Sequence, residues 1–348
     1  MSVLELEQVH VCIDSNHGVV QAVRGVSLSV AKGETLAIVG ESGCGKSVTA
    51  LSVMGLLPAS SDLQGNVMLS GENLSGFNET QWRGVRGNRV AMIFQNPMTA
   101  LNPTMTIGDQ IAEPLLLHRG LTKSQARVET IRLLEQLQIN DAEQRLSQYP
   151  FEFSGGMLQR VMIAISVAAE PDVLIADEPT TALDVTVQAE VLALLQDLQR
   201  KKNMALMLIT HDLAVVARMA QRVAVMYAGQ VVEQGSIDDI FYRSHHPYTQ
   251  GLKAALPDLH AGRQDKLAAI AGSPPDLISP PKGCGFCQRC PQAMSICERE
   301  VPPLFVLDQR AQDNGGAVSD VLSGAHQSRC WLAHPLCPPA NVDFNEGS

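Results

Sequence analysis

Gly40-Glu41-Ser42-Gly43-Cys44-Gly45-Lys46-Ser47 is the stretch that decides how this chain is read. It fits the pattern G-x-x-x-x-G-K-S without a mismatch. The apolar run Thr35–Val39 before it reads as a strand, and residues 48–57 after it read as a helix. Glycines at these positions let backbone N–H groups turn inward around phosphate oxygens, and the helix start adds the positive end of its dipole. Lys46 is placed to reach β- and γ-phosphates, and the Ser47 hydroxyl to join the shell of a Mg²⁺ ion. These residues in this setting imply a nucleoside triphosphate.

The rest of the chain bounds what such a site can belong to. At 348 residues, two domains are allowed, one with a substantial core. The chain is 45% hydrophobic and 18% charged, as soluble globular proteins are. A net charge of -10 argues against an extended nucleic-acid surface. The best candidate for a membrane span, residues 161–169, is cut short by Glu170 and Pro171. Glu5 and Glu7 stand where a secretory signal would be basic. The expectation is a protein of the cytosol, tethered only through partners.

Fold class follows from the order of patterns. Residues 1–39 alternate apolar and polar around a turn at Asn16-His17-Gly18, an antiparallel β-region. Residues 65–69 and 89–94 read as further strands, the latter ending at Gln95. From Thr106 to about Ile139 a helical period takes over, with Leu115-Leu116-Leu117 and residues 131–137 as expected buried faces. This places a helical insert at about residues 104–170. Beyond it, residues 172–176 form a short apolar strand ending in Asp177-Glu178, Asp184 caps a helix to about Lys201, and residues 204–209 form a strand ending in Thr210-His211. A hairpin across Ala228-Gly229 follows. Strands that are apolar throughout, alternating with helices, give an α/β fold with a mostly parallel sheet, and ligands then collect at strand C-terminal ends. Residues 256–348 hold more than half of the 19 prolines and six of the eight cysteines. They read as a small Cys/Pro-rich extension to a cassette of residues 1–255, joined near Leu256-Pro257.

Each polar residue at a strand end has a plain reading and a chemical one. Asp177 and Glu178 fit a helix cap or surface charge; beside a phosphate loop they fit a Mg²⁺-associated carboxylate and a base that polarises the attacking water. Gln95 suits a bridge between Mg²⁺ and that water, and His211 a hydrogen bond to a γ-phosphate. Phe153-Ser154-Gly155-Gly156-Met157 is a helix N-cap in its plain reading. Its chemical reading is a second phosphate-binding helix start, and because one nucleotide already has its own loop, it points to a partner subunit's nucleotide. Cys44 is either a plain small residue or a thiol activated at a helix start.

These residues carry a resemblance. The loop Gly40 to Ser47, Gln95, Ser154-Gly155-Gly156-Met157-Leu158-Gln159-Arg160, Leu174 to Pro179, Ala182-Leu183-Asp184 and His211 resemble, in order and spacing, the phosphate loop, Q-loop, signature, Walker B segment, D-loop and switch histidine of ATP-binding cassette (ABC) ATPases, a P-loop NTPase fold. A narrower resemblance spans nearly the whole chain. Phe94-Gln95-Asn96-Pro97-Met98-Thr99-Ala100-Leu101-Asn102-Pro103, Ala176 to Thr186, His246-Pro247-Tyr248-Thr249 and the tail with Gly283-Cys284 and Arg289-Cys290-Pro291 look like the dipeptide/oligopeptide permease ATPases. The resemblance implies ATP and Mg²⁺ as cofactors, with Ser47, Gln95 and Asp177 about the metal, and Glu178, His211 and Gln95 as catalytic groups. It implies a head-to-tail pair of cassettes, each ATP lying between one subunit's phosphate loop and the other's signature and D-loop Asp184. It further implies transmembrane permease subunits, an extracytoplasmic solute-binding protein acting indirectly, and a peripheral position on the cytoplasmic face of the membrane, with import of peptides or a related solute. Two departures stand out. The signature reads Phe-Ser-Gly-Gly-Met where Leu-Ser-Gly-Gly-Gln is commoner, and residues 1–39 hold no aromatic residue to stack on adenine, leaving Ile13 or His17.

The tail cysteines have three readings. Cys284-x₂-Cys287-x₂-Cys290-x₆-Cys297 with Cys330 suits an iron–sulfur cluster, a structural Zn²⁺ site or unligated thiols. In the resembled ATPases four cysteines match Cys284, Cys290, Cys297 and Cys330, and some members hold a [4Fe–4S] cluster there. Rival functions are a soluble cassette ATPase of DNA repair or translation, which calls for a coiled-coil insertion or a second cassette, and an exporter ATPase with fused membrane spans. Neither feature is visible.

Overall fold

The computed structural model describes residues 2–181, 183–255, 270–307 and 324–337. A long antiparallel hairpin comes first, β1 (Ser2–Ser15) and β2 (Gly18–Ala31), closed at Asn16-His17. The strand β3 (Thr35–Val39) leads through the phosphate loop into α1 (Lys46–Val53). After β4 (Ser61–Leu69), β5 (Glu72–Asn73), α2 (Glu79–Val85) and β6 (Val90–Ile93) comes the helical insert. It consists of α3 (Pro97–Ala100), α4 (Ile107–His118), α5 (Lys123–Gln136), α6 (Ala142–Arg145) and α7 (Gly155–Val167). The chain returns to the sheet with β7 (Val173–Asp177), α8 (Val185–Lys202), β8 (Ala205–Thr210), α9 (Leu213–Met219), β9 (Arg222–Tyr227) and β10 (Gln230–Ser236). Then follow α10 (Ile237–Tyr242), α11 (Pro247–Ala254), α12 (Ser295–Arg299), β11 (Phe305–Val306) and β12 (Gln327–Ser328).

Among the described residues these strands make two sheets, β2-β1-β4-β5 and β11-β12-β10-β9-β3-β8-β7-β6. In the larger one β9, β3, β8, β7 and β6 run parallel, and β10, β12 and β11 extend one edge antiparallel. Every residue of β3, β6, β7 and β8 is buried. That is why their sequences are apolar runs and do not alternate. The mostly parallel sheet and the antiparallel N-terminal region stand as expected.

Helix ends differ from the sequence expectation in ways local chemistry explains. The first helix stops at Val53, with Met54 as its cap, and does not run on to residue 57. Gly55 then takes φ +59, a left-handed exit, and a Cβ there would sit 2.3 Å from the Trp82 ring. The single long period from Thr106 to Ile139 is two helices. Gly120 at φ +61 ends the first, and the Thr122/Gln125 capping box starts the second. Of the expected apolar face, Leu115 is fully buried with Ile107 and Ile111, which share its side of the helix. Leu116 and Leu117 point outward, and Leu117 is 70% exposed.

The described part of the tail is built onto the cassette sheet, with β12 pairing to β10. Phe286 is buried among Tyr227, Tyr248 and His246, ring centroids 5.2, 5.4 and 5.9 Å away. Glu233, fully buried, accepts from the His245 and His246 N–H groups at 2.6 and 3.0 Å and lies 2.9 Å from His326 Nε2. Burial holds the His246 imidazole down at about 4, so its neutral Nδ1 accepts from the Tyr248 N–H at 3.1 Å and caps α11. The junction expected near Leu256-Pro257 lies outside the described residues.

Candidate nucleotide site

The phosphate loop leaves the C-terminal end of the central strand β3, which fixes its root between β8 and β9. Its glycines are demanded by geometry. Gly45 has φ +100, and a Cβ on it would lie 2.4 Å from the Ala22 carbonyl oxygen; one on Gly40 would lie 2.2 Å from that of Met226. Lys46 opens α1 and is almost wholly buried. Its Nζ donates to the Gly40 and Glu41 carbonyls at 2.7 and 2.9 Å, so the ammonium is held over the loop. Charge-assisted bonds of this kind contribute about 1.5–3 kcal/mol each, little enough for an anion to displace.

One cavity is lined by Ser42, Gly43, Gly45, Lys46 and Ser47 together with Gln95, Glu178, Thr181 and His211. Residues from the ends of β3, β6, β7 and β8 thus meet at one place, as strand ends of a parallel sheet do. Asp177, the last residue of β7, is buried beside Ser47. Its Oδ1 has no hydrogen-bond partner. Burial raises the Asp177 pKa, against the pull of Ser47 and Lys46 and with the repulsion of Glu178. An orphaned carboxylate oxygen beside a serine hydroxyl is what a hard cation such as Mg²⁺ satisfies, and the donors present fit it.

Glu178 has φ 51, a left-handed backbone that a side-chain-bearing residue adopts at a cost of about 1 kcal/mol. It is held there by its N–H donating to the Ile209 carbonyl at 2.9 Å. Its carboxylate accepts from Thr181 Oγ1 at 2.6 Å and lies 2.7 Å from His211 Nδ1. The sequence expectation named Glu178 and His211 separately; that His211 meets Glu178 itself was not foreseen, nor was Thr181. The signal for Thr181 was its place three residues after Glu178 in the quoted Ala176-to-Thr186 run.

Ile13, Val20 and Ala22 of the hairpin line the same cavity, and His17 does not. Leu277 of the tail also lines it, its carbonyl accepting from the Gln21 N–H at 2.9 Å. Nothing in the sequence near Leu277 signals this, because the contact is made by tertiary packing. Cys44 is buried, and burial pushes its thiol pKa up against the lowering effect of Lys46. The reading of Cys44 as an activated thiol is therefore set aside.

Ser154, Gly155, Gly156 and Asp184 do not line this cavity. Ser154 is exposed and caps α7, accepting from the Met157 N–H at 3.4 Å, while Asp184 caps α8, accepting from Val187 at 3.0 Å. Gly156 is explained by packing, since a Cβ would lie 2.8 Å from Val187 Cγ1. Gly155 has open space where its Cβ would be, so nothing among the described residues requires a glycine there. Ala182 lies outside the described residues.

Cys284, Cys287, Cys290, Cys297 and Cys330 line one small cavity with Phe286 and Trp331. Burial, reinforced by the neighbouring thiols Cys284, Cys290 and Cys297, pushes Cys330 up to about 12; burial likewise takes Cys284 to about 11. Among the described residues, no three His, Cys, Asp or Glu side chains are gathered closely enough to hold a metal ion. Neutral thiols have no attraction that would draw them to the ~2.3 Å ligand distance of a metal thiolate.

No helix among the described residues is long and apolar enough to cross a membrane. The family profile "ABC transporter" matches residues 23–181, and "Oligopeptide/dipeptide transporter, C-terminal region" matches residues 232–297. The dipeptide transport ATP-binding protein DppD of Bacillus subtilis is 49% identical over 95% of this chain and 94% of its own length. The oligopeptide transport ATP-binding protein OppD of Escherichia coli is 46% identical over 87% of this chain and 89% of its own length. Among solved structures, a dimeric bacterial ABC transporter cassette superposes with a TM-score of 0.61 at 25% identity, over 67% of this chain and 98% of that one. Loop, strand-end carboxylates and tail thus agree with sequence similarity along almost the full length, and the chain belongs to the dipeptide/oligopeptide class of ABC-transporter ATP-binding proteins.

Proposed function

We propose that this chain hydrolyses ATP to drive import of peptides, or of a closely related solute, through a membrane ABC transporter. The observation that carries the catalytic part is the single cavity where Lys46, Ser47, Gln95, Glu178 and His211 converge. Peptide as the solute class rests on the names of its relatives, dipeptide and oligopeptide transport proteins. In this reading the loop amides and Lys46 cradle the β- and γ-phosphates, and Lys46 exchanges two loop carbonyls for phosphate oxygens. Ser47, Gln95 and Asp177 hold Mg²⁺, which neutralises charge on the phosphates when bound. Glu178 accepts the proton of a water whose oxygen attacks the γ-phosphorus. The bond from that phosphorus to the β–γ bridging oxygen breaks, leaving ADP and inorganic phosphate. His211 and Thr181 orient the Glu178 carboxylate, and His211 lies close enough to the cavity to reach the γ-phosphate.

The second half of the site comes from another cassette, identical or homologous, through Ser154, Gly155, Gly156 and Asp184. The exposure of Ser154, Gly155 and Asp184 away from the cavity and the unexplained Gly155 support this. Exposed apolar side chains beside Gln95 and on the insert, Phe94, Met98, Leu117 and Phe151, fit a surface for permease subunits. In this reading the chain sits peripherally on the cytoplasmic face of a membrane, with a solute-binding protein on the other side. No observation favours the DNA-repair or translation reading.

Lys46→Ala should weaken ATP binding by the purified protein about a hundredfold, the loss of a buried phosphate-facing charge. It should equally abolish uptake of a labelled dipeptide by vesicles carrying the transporter. Unchanged ATP affinity would overturn the loop assignment, and dipeptide uptake that does not depend on this chain would overturn the solute class.

For the tail, the reading is that Cys284, Cys290, Cys297 and Cys330 hold a [4Fe–4S] cluster of structural role. The support is the one cavity that all four cysteines line; a cluster there has to deprotonate the thiols and draw them together as it binds. Protein purified without oxygen should absorb in the visible range and contain about four irons per chain. Colourless protein with one zinc per chain would give the site to Zn²⁺ instead, and metal-free protein would reject both.

A further inference from the structure

Arg289 belongs to the tail, in the short turn Cys287–Arg289 that separates two cavity-lining cysteines. Its side chain nevertheless ends at the phosphate loop. Nη1 and Nη2 donate to the two carboxylate oxygens of Glu41 at 2.7 and 3.0 Å, a two-pronged ion pair. Nη1 donates also to Tyr227 Oη at 3.2 Å, Nη2 to the Ile270 carbonyl at 3.1 Å, and Nε to the Ala271 carbonyl at 2.9 Å. All five N–H groups of the guanidinium are therefore used. Its plane lies near the Tyr227 and Phe286 rings, 5.7 and 5.9 Å from their centroids, and the side chain is only 6% exposed. A group so fully satisfied has one geometry.

Glu41 is the second residue of the loop, and it is held at three points. The Tyr248 hydroxyl accepts from its N–H at 2.8 Å, Lys46 Nζ donates to its carbonyl at 2.9 Å, and Arg289 takes its carboxylate. Without Arg289 that carboxylate stands, unpaired, on the loop that must receive a polyphosphate. We propose that Arg289 is a positioning residue of the phosphate loop, through which the C-terminal extension sets the affinity for ATP. This rests on ATP being the ligand of the loop. It makes the tail a part of the nucleotide site, in keeping with Leu277 lining the same cavity.

Removing one partner of a buried ion pair leaves the other uncompensated, whereas neutralising both relieves it. The test is the equilibrium dissociation constant for ATP of the full-length protein, with the melting temperature followed in parallel. Arg289→Gln should weaken ATP binding about tenfold. Adding Glu41→Gln to that variant should return it to within about threefold of wild type. Arg289→Lys, which keeps charge and stem and loses the fork, should lie between, near threefold. Unchanged affinity in Arg289→Gln would overturn the proposal, as would a double variant no better than the single one, since a merely misfolded tail is not repaired by Glu41→Gln. If Arg289→Gln does not fold, Arg289→Lys decides: a threefold loss supports the proposal and wild-type affinity overturns it. Wild-type protein that binds no ATP would instead overturn the nucleotide reading on which this stands, an outcome readily told from normal wild-type binding with an indifferent Arg289→Gln.

Discussion

Glu178→Gln should cut ATP turnover by the assembled transporter by at least about a thousandfold while leaving ATP affinity within about threefold of wild type. The amide keeps the shape of the side chain and can still accept from Thr181 Oγ1, now 2.6 Å away from the carboxylate. It cannot take a proton from water, and it cannot receive one from His211. Binding should survive because the groups proposed to hold the phosphates are the loop amides and Lys46, whose hydrogen bonds go to Gly40 and Glu41 and not to Glu178. The variant should moreover accumulate with ATP in the closed, two-cassette form, since ATP that is not cleaved continues to join the protomers. Release of phosphate at the wild-type rate would remove Glu178 from its role. Loss of ATP binding would mean that the substitution had disturbed the left-handed turn at φ 51.

How much of this was legible beforehand depended on how local the chemistry was. The phosphate loop, the burial of β3, β7 and β8, and the N-cap at Asp184 are written in a few adjacent residues, and each was readable. The helical insert was readable as a region and not in detail. Leu115, Leu116 and Leu117 are equally apolar, and only the packing of α4 tells which of them faces inward. The break at Gly120 was hidden because the flanking helices have the same period. Contacts between distant parts of the chain were invisible. Glu178 and His211 are 33 residues apart and Glu41 and Arg289 are 248 apart, and neither pairing has any local signature. The same holds for Leu277 in the wall of the cavity. Cys44 had two local readings, a plain small residue or a thiol activated at a helix start, and only its burial in the fold favours the first.

The central claim is that the phosphate loop supplies half of an ATP site and that Ser154-Gly155-Gly156 supplies the other half to a neighbouring cassette. Ser154→Arg tests it. The residue is exposed, and its cap on Met157 is long at 3.4 Å, so the fold should lose no more than about 1 kcal/mol. A bulky cation there blocks the approach of a second cassette's γ-phosphate without touching the chain's own loop. The measurement is ATP affinity of the isolated variant alongside ATP turnover of the transporter assembled with it. The account predicts wild-type affinity in the isolated chain and turnover reduced by at least about a thousandfold in the assembly. Undiminished turnover, or a loss of ATP binding in the isolated chain matching the loss of turnover, would contradict it.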